Sequence, residues 1–448
     1  MGLSDSDLAK QDVRRLLIRQ SVPASIGILF MTVNVLIDTV FVGRWIGSLA
    51  IAALSVVMPL TFFISSLGMA IGTGGGSVLS RALGSGDKEK AYTTFAHQIM
   101  MTFGLASLFV ILGLFFSEEI LYAFGANGNI SKPAREFFFP ILLAVPFQAL
   151  CMMGNNVIRA EDKSRHAMIA MIISAATNIV LDILFIKVFD MGIFGAALAT
   201  GLSFFVCFIY VLWFFIFRSE LKPQWKHFAF NRKVTNEIAS LSFVTFARQG
   251  VISVLAVLLN HTLYSFGSEH AVTVYGIISR MLMFALFPVL GITQGFLPIA
   301  GYNYGAGNYG RVRETIFTAI KYAGGLAILI FIVILIFAKP ITAIFTTDPE
   351  VIRDTPGALR WVFAASPIIA VQLIGAAYFQ AAGKATKALL LTLSKQGFFL
   401  IPLILILPHF FGIFGVWVAF PIADVLSTIV TGMFLKKEMA GEMTKERG

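Results

Sequence analysis

Two acids stand where a membrane-spanning chain can least easily keep them. Asp38 and Asp182 lie inside long apolar stretches, with no basic partner evident at their depth. An ionised side chain within a span costs at least ~2.5–3.5 kcal/mol on insertion scales, so such a charge points to function. Asn178 precedes Asp182 by one helical turn and shares its face. Thr200 follows on the next apolar stretch, after a short turn at Gly192–Gly195. Counted from the outer ends of their spans, Asp38, Asp182 and Thr200 are each roughly 8–10 Å deep, at ~1.5 Å per helical residue. Oxygen-bearing side chains from three helices at one level suit a hard cation such as Na⁺, or a shared proton. Asp38, Asn178, Asp182 and Thr200 are thus a candidate H⁺ or Na⁺ site.

Later in the chain the sign changes. Arg248, Arg280 and Lys395 fall well inside apolar stretches, with Gln249 and Gln396 beside two of them, and Asp424 is the one buried acid there. The plain expectation is an internal ion pair, either Lys395 or Arg280 with Asp424. The alternative is that some of these cations line a substrate cavity.

These residues need helices to hold them at depth, and the composition supplies the helices. Apolar residues make up 57% of 448 and charged residues 13%, where a soluble domain has about 25% charged. Mean hydropathy is +0.84. No soluble core hides so much apolar surface. The net charge of +10 is then expected in cytoplasmic loops and not on a nucleic-acid surface. Cys151 and Cys207 both sit in apolar segments and are expected to pack. The histidines show no metal-ligand spacing, and Gly72-Thr73-Gly74-Gly75-Gly76-Ser77 lacks the Lys of a phosphate loop. Met1-Gly2-Leu3-Ser4-Asp5-Ser6 fits a loose myristoylation pattern, of little use to a many-span protein.

Apolar runs long enough to span occur near 13–44, 49–80, 91–116, 134–158, 164–187 and 193–217, then near 237–266, 271–304, 312–338, 357–382, 386–408 and 413–435. Lys and Arg crowd alternate connections, among them Arg81, Lys88 and Lys90, then Lys163 and Arg165, then Arg218 to Lys233. The bias places both termini in the cytoplasm and makes the span count even. The halves repeat: Gly192-Ile193-Phe194-Gly195 returns as Gly412-Ile413-Phe414-Gly415, and Gly84-Ser85-Gly86-Asp87 as Gly305-Ala306-Gly307-Asn308. Pro146 answers Pro367 and Lys163 answers Lys384. The predicted fold is an all-α integral membrane protein of twelve transmembrane helices in two six-helix lobes. A parallel repeat of this kind implies a pseudo-two-fold along the membrane normal and a substrate site near the midplane. The predicted domains are 1–217, a linker over 218–236, a second lobe over 237–437 and a tail over 438–448.

Particular stretches then resemble a known family. Asn34-Val35-Leu36-Ile37-Asp38-Thr39, Arg159-Ala160-Glu161, Ala167-Met168-Ile169-Ala170 and Asn178-Ile179-Val180-Leu181-Asp182 are similar to segments of the multidrug and toxic compound extrusion (MATE) family. Gly291-Ile292-Thr293-Gln294-Gly295, with Pro298-Ile299-Ala300-Gly301-Tyr302-Asn303-Tyr304-Gly305-Ala306, resembles the hallmark of its bacterial multidrug-pump and damage-inducible branch. The resemblance implies a V-shaped exporter of organic cations driven by inward H⁺ or Na⁺. By position it puts Asp38, Asn178, Asp182 and Thr200 in a first-lobe cation cluster, with Asn155 as a fourth-helix member. The chain departs from one branch of the family: the interior of span 7 has no acid and span 10 offers Gln372 alone, so a second-lobe carboxylate site for coupling is not expected.

The expectation is a secondary antiporter, not an enzyme, exporting amphipathic cations or drugs by alternating access. The alternative is a lipid or lipid-linked precursor flippase, which the basic second lobe would suit. No cofactor is expected beyond the coupling ion. The protein is expected as a monomer in a prokaryotic cytoplasmic (inner) membrane, its partners the lipid bilayer and a small amphipathic solute, with no nucleic acid.

Overall fold

The computed structural model describes residues 7–441; the Met1–Ser6 pattern and tail residues 442–448 lie outside the described residues. A short turn, Asp7–Lys10, precedes the apolar helices α1 (Val13–Ile46), α2 (Leu49–Gly84), α3 (Lys88–Phe115), α4 (Gly128–Ala160), α5 (Ser164–Val188) and α6 (Gly192–Phe217). The linker follows. The next helix runs Arg232–Gly305, but it leaves helical geometry at Ser268 (φ 58°, ψ −166°). It therefore comprises two spans, α7 (232–267) and α8 (269–305), and the count among the described residues is twelve. Then come α9 (Tyr309–Phe345), α10 (Pro349–Ala381), α11 (Ala385–Phe411) and α12 (Ile413–Gly441). Large apolar side chains such as Phe115, Val257 and Phe410 are exposed, as helices facing lipid require.

The repeated motifs are turns. Gly86 and Gly307 take left-handed φ of 75° and 73°, and Gly192 and Gly412 both take 58°. A side chain rarely adopts those angles, so glycine recurs there. Among the described residues three helices carry a π-helical turn: α1 at Val42–Ile46, α5 at Ile183–Val188 and α11 at Ser394–Leu400. Such turns lift side chains out of the regular ladder and recur at functional sites.

The chain forms two compact units. One holds Ile26–Thr245; the other holds Asp7–Ser25 with the chain from Phe246 onward. Neither matches the predicted limits of 1–217 and 237–437. The inner part of α1 belongs with the second half, and the linker and inner part of α7 belong with the first. Close backbone packing is the physical reason. In the first unit a Cβ on Gly74 would lie 2.4 Å from the Ser242 nitrogen. In the second a Cβ on Gly295 would lie 2.5 Å from Ser21 Oγ and 2.8 Å from its nitrogen. Both contacts set a glycine against a serine, and the two pairs are related by the internal repeat. Valine at either glycine is expected to cost about 1–3 kcal/mol of stability by overpacking, read as a lower melting temperature of the purified protein. An unchanged melt for both would mean these helices do not pack as described. Gly68 and Gly72, spaced for close approach, set α2 against α4, where added Cβ atoms would meet the Ala149 carbonyl and Met153 Cα below 3 Å.

Polar clasps tie helix ends together within each unit. Glu237 receives Arg81 at 2.7 Å and Lys90 at 2.8 Å in the first unit. In the second, Asn303 donates to the Leu8 carbonyl at 3.1 Å, and Arg311 donates to the carbonyls of Leu8 and Gln11. Glu161, in the turn between α4 and α5, takes the start of the linker: its Oε1 accepts from Ser219 Oγ and from the backbone N–H of Glu220 and Leu221. Burial pushes the Glu161 carboxyl up from 4.5 to about 7, against the pull of those bonds. A raised carboxyl means that the folded state binds the proton more tightly than the unfolded one. Its contribution is therefore full below pH 4.5 and is lost as pH rises through about 7. Glu161→Gln keeps the acceptor without the charge. It is expected to flatten the fall in melting temperature across that window, an effect of a few kcal/mol at most; an unaltered pH profile would count against it.

Candidate functional site

The first unit brings four of the sequence-predicted residues together. Asn34 on α1 donates its amide to Asn178 Oδ1 on α5 at 2.9 Å. Asn178 donates to Thr200 Oγ1 on α6 at 3.4 Å, and Thr200 donates to the Ala196 carbonyl at 3.1 Å. One turn further out on their helices, Asp38 and Asp182 follow Asn34 and Asn178 at the same spacing, within Coulombic reach of one another. Above them the outer ends of α1 and α5 are pinned: Trp45 stacks on Phe41 at 4.2 Å, and the Lys187 ammonium lies 5.6 Å from the Trp45 ring. Asp182 is the last residue before the π turn of α5.

The hydrogen-bond chain runs away from the acids. Asp182 is fully buried, and neither of its carboxyl oxygens has a donor among the described residues. Asp38 Oδ1 and Asn34 Oδ1 are likewise buried without one. A buried acceptor left unpaired costs roughly 1–3 kcal/mol, and an unpaired carboxylate more. Four such oxygens on neighbouring stretches of α1 and α5 are best satisfied by a positive species. A proton on one carboxyl satisfies part of the need and can be donated to a neighbouring oxygen. A small hard cation satisfies it through several oxygens at once.

Asn155 is placed elsewhere. Its amide donates to the Ala167 carbonyl at 2.8 Å, and its oxygen accepts from Arg159. Ala167 opens α5, and fifteen residues separate it from Asp182, which is about 22 Å along a helix. The two residues do not share a level. Asn34, by contrast, was not singled out in the sequence as a site residue. Its signal was available: Asn34 and Asp38 repeat the one-turn Asn–Asp spacing of Asn178 and Asp182.

In the second unit Lys395, on the π turn of α11, reaches Asp424 on α12 at 2.6 Å. Arg280 and Arg248 make no hydrogen bond or ion pair among the described residues; Arg280 is exposed and Arg248 half-buried. Gln372 is buried and donates to the Leu391 carbonyl at 3.0 Å. Both cysteines are free and buried; Cys151 and Cys207 face the carbonyls of Phe204 and Ala170.

Comparison with known proteins agrees with the repeat. A model of the MatE family matches residues 23–184 and again 244–406. The multidrug export protein MepA of Staphylococcus aureus (strain N315) is 26% identical over 421 residues, 94% of this chain and 93% of that one. Its namesake in Staphylococcus haemolyticus (strain JCSC1435) is 25% identical over 428 residues, 95% and 94% of the two chains. Among solved structures, a MATE protein in a bent conformation superposes with TM-score 0.93 at 25% identity, covering 99% of each chain. A MOP superfamily transporter from Pyrococcus furiosus, described as having a binding pocket of reversed polarity that suggests a different function, superposes with TM-score 0.91 at 25% identity, covering 97% of this chain and 98% of that one.

Proposed function

The chain belongs to the MatE family, a family of membrane transporters and not enzymes, and from that premise we propose that it is a secondary antiporter exporting amphipathic organic cations or drugs in exchange for H⁺ or Na⁺. The observation that carries this reading is the set of donor-less buried oxygens on Asp38, Asp182 and Asn34. An inward-moving cation fills that need. Because the acids sit in helices α1 and α5, neutralising them changes what those helices must shield from the membrane interior. Alternation between a loaded and an unloaded cluster is then the coupling step. Asn178 and Thr200 orient the cluster through their hydrogen-bond chain. The relatives named as multidrug export proteins support the substrate class.

The same reading puts the chain in a prokaryotic cytoplasmic membrane as a monomer, with both termini inside. Support comes from the Lys and Arg that crowd alternate connections of the sequence, among them Arg81, Lys90 and Arg311. The proposal is tested in proteoliposomes loaded with ethidium, under an imposed proton gradient and, separately, an imposed sodium gradient. Efflux driven by one gradient supports antiport and names the ion. Efflux indifferent to both, with translocation of fluorescent lipid in its place, would replace it with the flippase reading.

A further inference from the structure

The second unit carries charges of the opposite sign. Arg248, Arg280 and Lys395 stand within its spans, and the carboxyl of Asp424 stands among them. Lys395 and Asp424 neutralise each other: they are 2.6 Å apart, and their side chains are 18% and 5% exposed. Arg248 has no such partner among the described residues. It lies near the middle of α7, the depth at which a lone charge is least tolerated.

The helix shows which way Arg248 points. At 100° per residue, Leu255 and Leu259 fall on the same stripe as Arg248, and both are buried. The opposite side of the helix carries Val254 and Val257, which are exposed. Arg248 therefore turns toward the protein and away from lipid. Its guanidinium nitrogens are nonetheless absent from the buried polar atoms that lack partners, so they remain open to a ligand. One turn outward, Val251 meets α11: a Cβ on Gly397 would lie 3.6 Å from its Cγ1. Both α7 and α11 are odd-numbered spans and run the same way. Arg248 lies three residues inward of this contact and Lys395 two, so the guanidinium and the ion pair share a level.

We infer that Arg248, at the level of the Lys395–Asp424 pair, is a binding subsite for one anionic oxyanion group, a carboxylate or sulfonate carried by an amphipathic solute. The pair cancels its own charge, which leaves one net positive charge at this level. A guanidinium offers a planar fork of donors that suits such a group. The anion subsite does not rest on the antiporter reading.

The test is binding without any gradient, so its failure is separable from failure of antiport. Purified protein in phosphatidylcholine nanodiscs is titrated with rhodamine 110, which carries a free carboxylate, and with its methyl ester rhodamine 123, using fluorescence anisotropy. Arg248→Met is expected to weaken the acid by at least about tenfold and to leave the ester within about twofold. Arg248→Lys keeps the charge and is expected to recover part of the acid affinity, which guards against a misfolded Met variant. Equal losses for both dyes, or no loss for either, would overturn the proposal. A second arm replaces part of the lipid with anionic phosphatidylglycerol. Unchanged acid binding assigns the subsite to the solute; displacement of the acid from wild type assigns it to lipid headgroups and overturns the solute reading.

Discussion

Asp182→Asn is expected to reduce gradient-driven efflux to the rate of protein-free liposomes while leaving the protein at least as stable as before. The two halves of this expectation have one cause. The Asp182 carboxyl is fully buried, and among the described residues no donor reaches either oxygen. Asparagine has nearly the same shape but neither binds nor releases a proton, and it offers Na⁺ no charge. The coupling step therefore loses its carrier. At the same time, the new amide can donate to Asp38 Oδ1 or Asn34 Oδ1, both of which lack a donor. Satisfying such an acceptor is worth roughly 1–3 kcal/mol, which would show as a higher melting temperature. A residue held only for structure would behave in the opposite way, with lost stability and retained transport. Coupled efflux at the wild-type rate in Asp182→Asn would remove the mechanism. Asp38→Asn is expected to lose coupling as well.

The largest stability loss is expected from Asp424→Asn. That change leaves the Lys395 ammonium, 2.6 Å from the carboxyl it now faces, as an uncompensated charge inside the second unit. Breaking one side of a buried pair costs about 3–5 kcal/mol, enough to lower the melting temperature sharply or to abolish monodisperse protein. The double variant Lys395→Met with Asp424→Leu removes both charges and is expected to recover most of the loss, because two well-packed apolar side chains can replace a buried pair at little cost. The double variant is also expected to keep gradient-driven efflux, since coupling is assigned to the first unit. Two single variants as stable as wild type would show that the pair carries no structural role. Loss of coupled efflux in a well-folded double variant would place coupling chemistry in the second unit as well.

Twelve spans could be read from hydropathy because lipid demands long apolar helices, and the break at Ser268 coincides with the polar stretch Gly267-Ser268-Glu269-His270. Asp38 and Asp182 stood out for the same reason, as charges where charges are costly. Counting residues from span ends put them and Thr200 at one depth; the hydrogen bonds join Thr200 instead to Asn178 and Asn34, one turn before the acids on α5 and α1. Asn155 entered through family resemblance against its own depth count, and the count agrees with its bonds to Ala167 and Arg159. Asn34 was passed over because a neutral amide in a span costs less than a charge and draws less notice. Whether Lys395 or Arg280 would meet Asp424 could not be ranked by helical spacing, because the π turn at Ser394–Leu400 shifts the face of α11. The division at Ser25 and Thr245 was hidden for a different reason. It depends on where glycines of α2 and α8 receive the serines of neighbouring helices, and span order carries no trace of that.

The most direct test of the central claim is whether binding of an organic cation releases the coupling ion. Ethidium would be added to purified, ungraded protein in weakly buffered detergent, with a pH indicator to follow protons and ²²Na⁺ to follow sodium. Linkage requires that a cation whose binding is coupled to the Asp38–Asp182 cluster changes its occupancy. The account predicts release of protons or of sodium from wild type, and of neither from Asp182→Asn. Tight ethidium binding to wild type with neither ion released would contradict it.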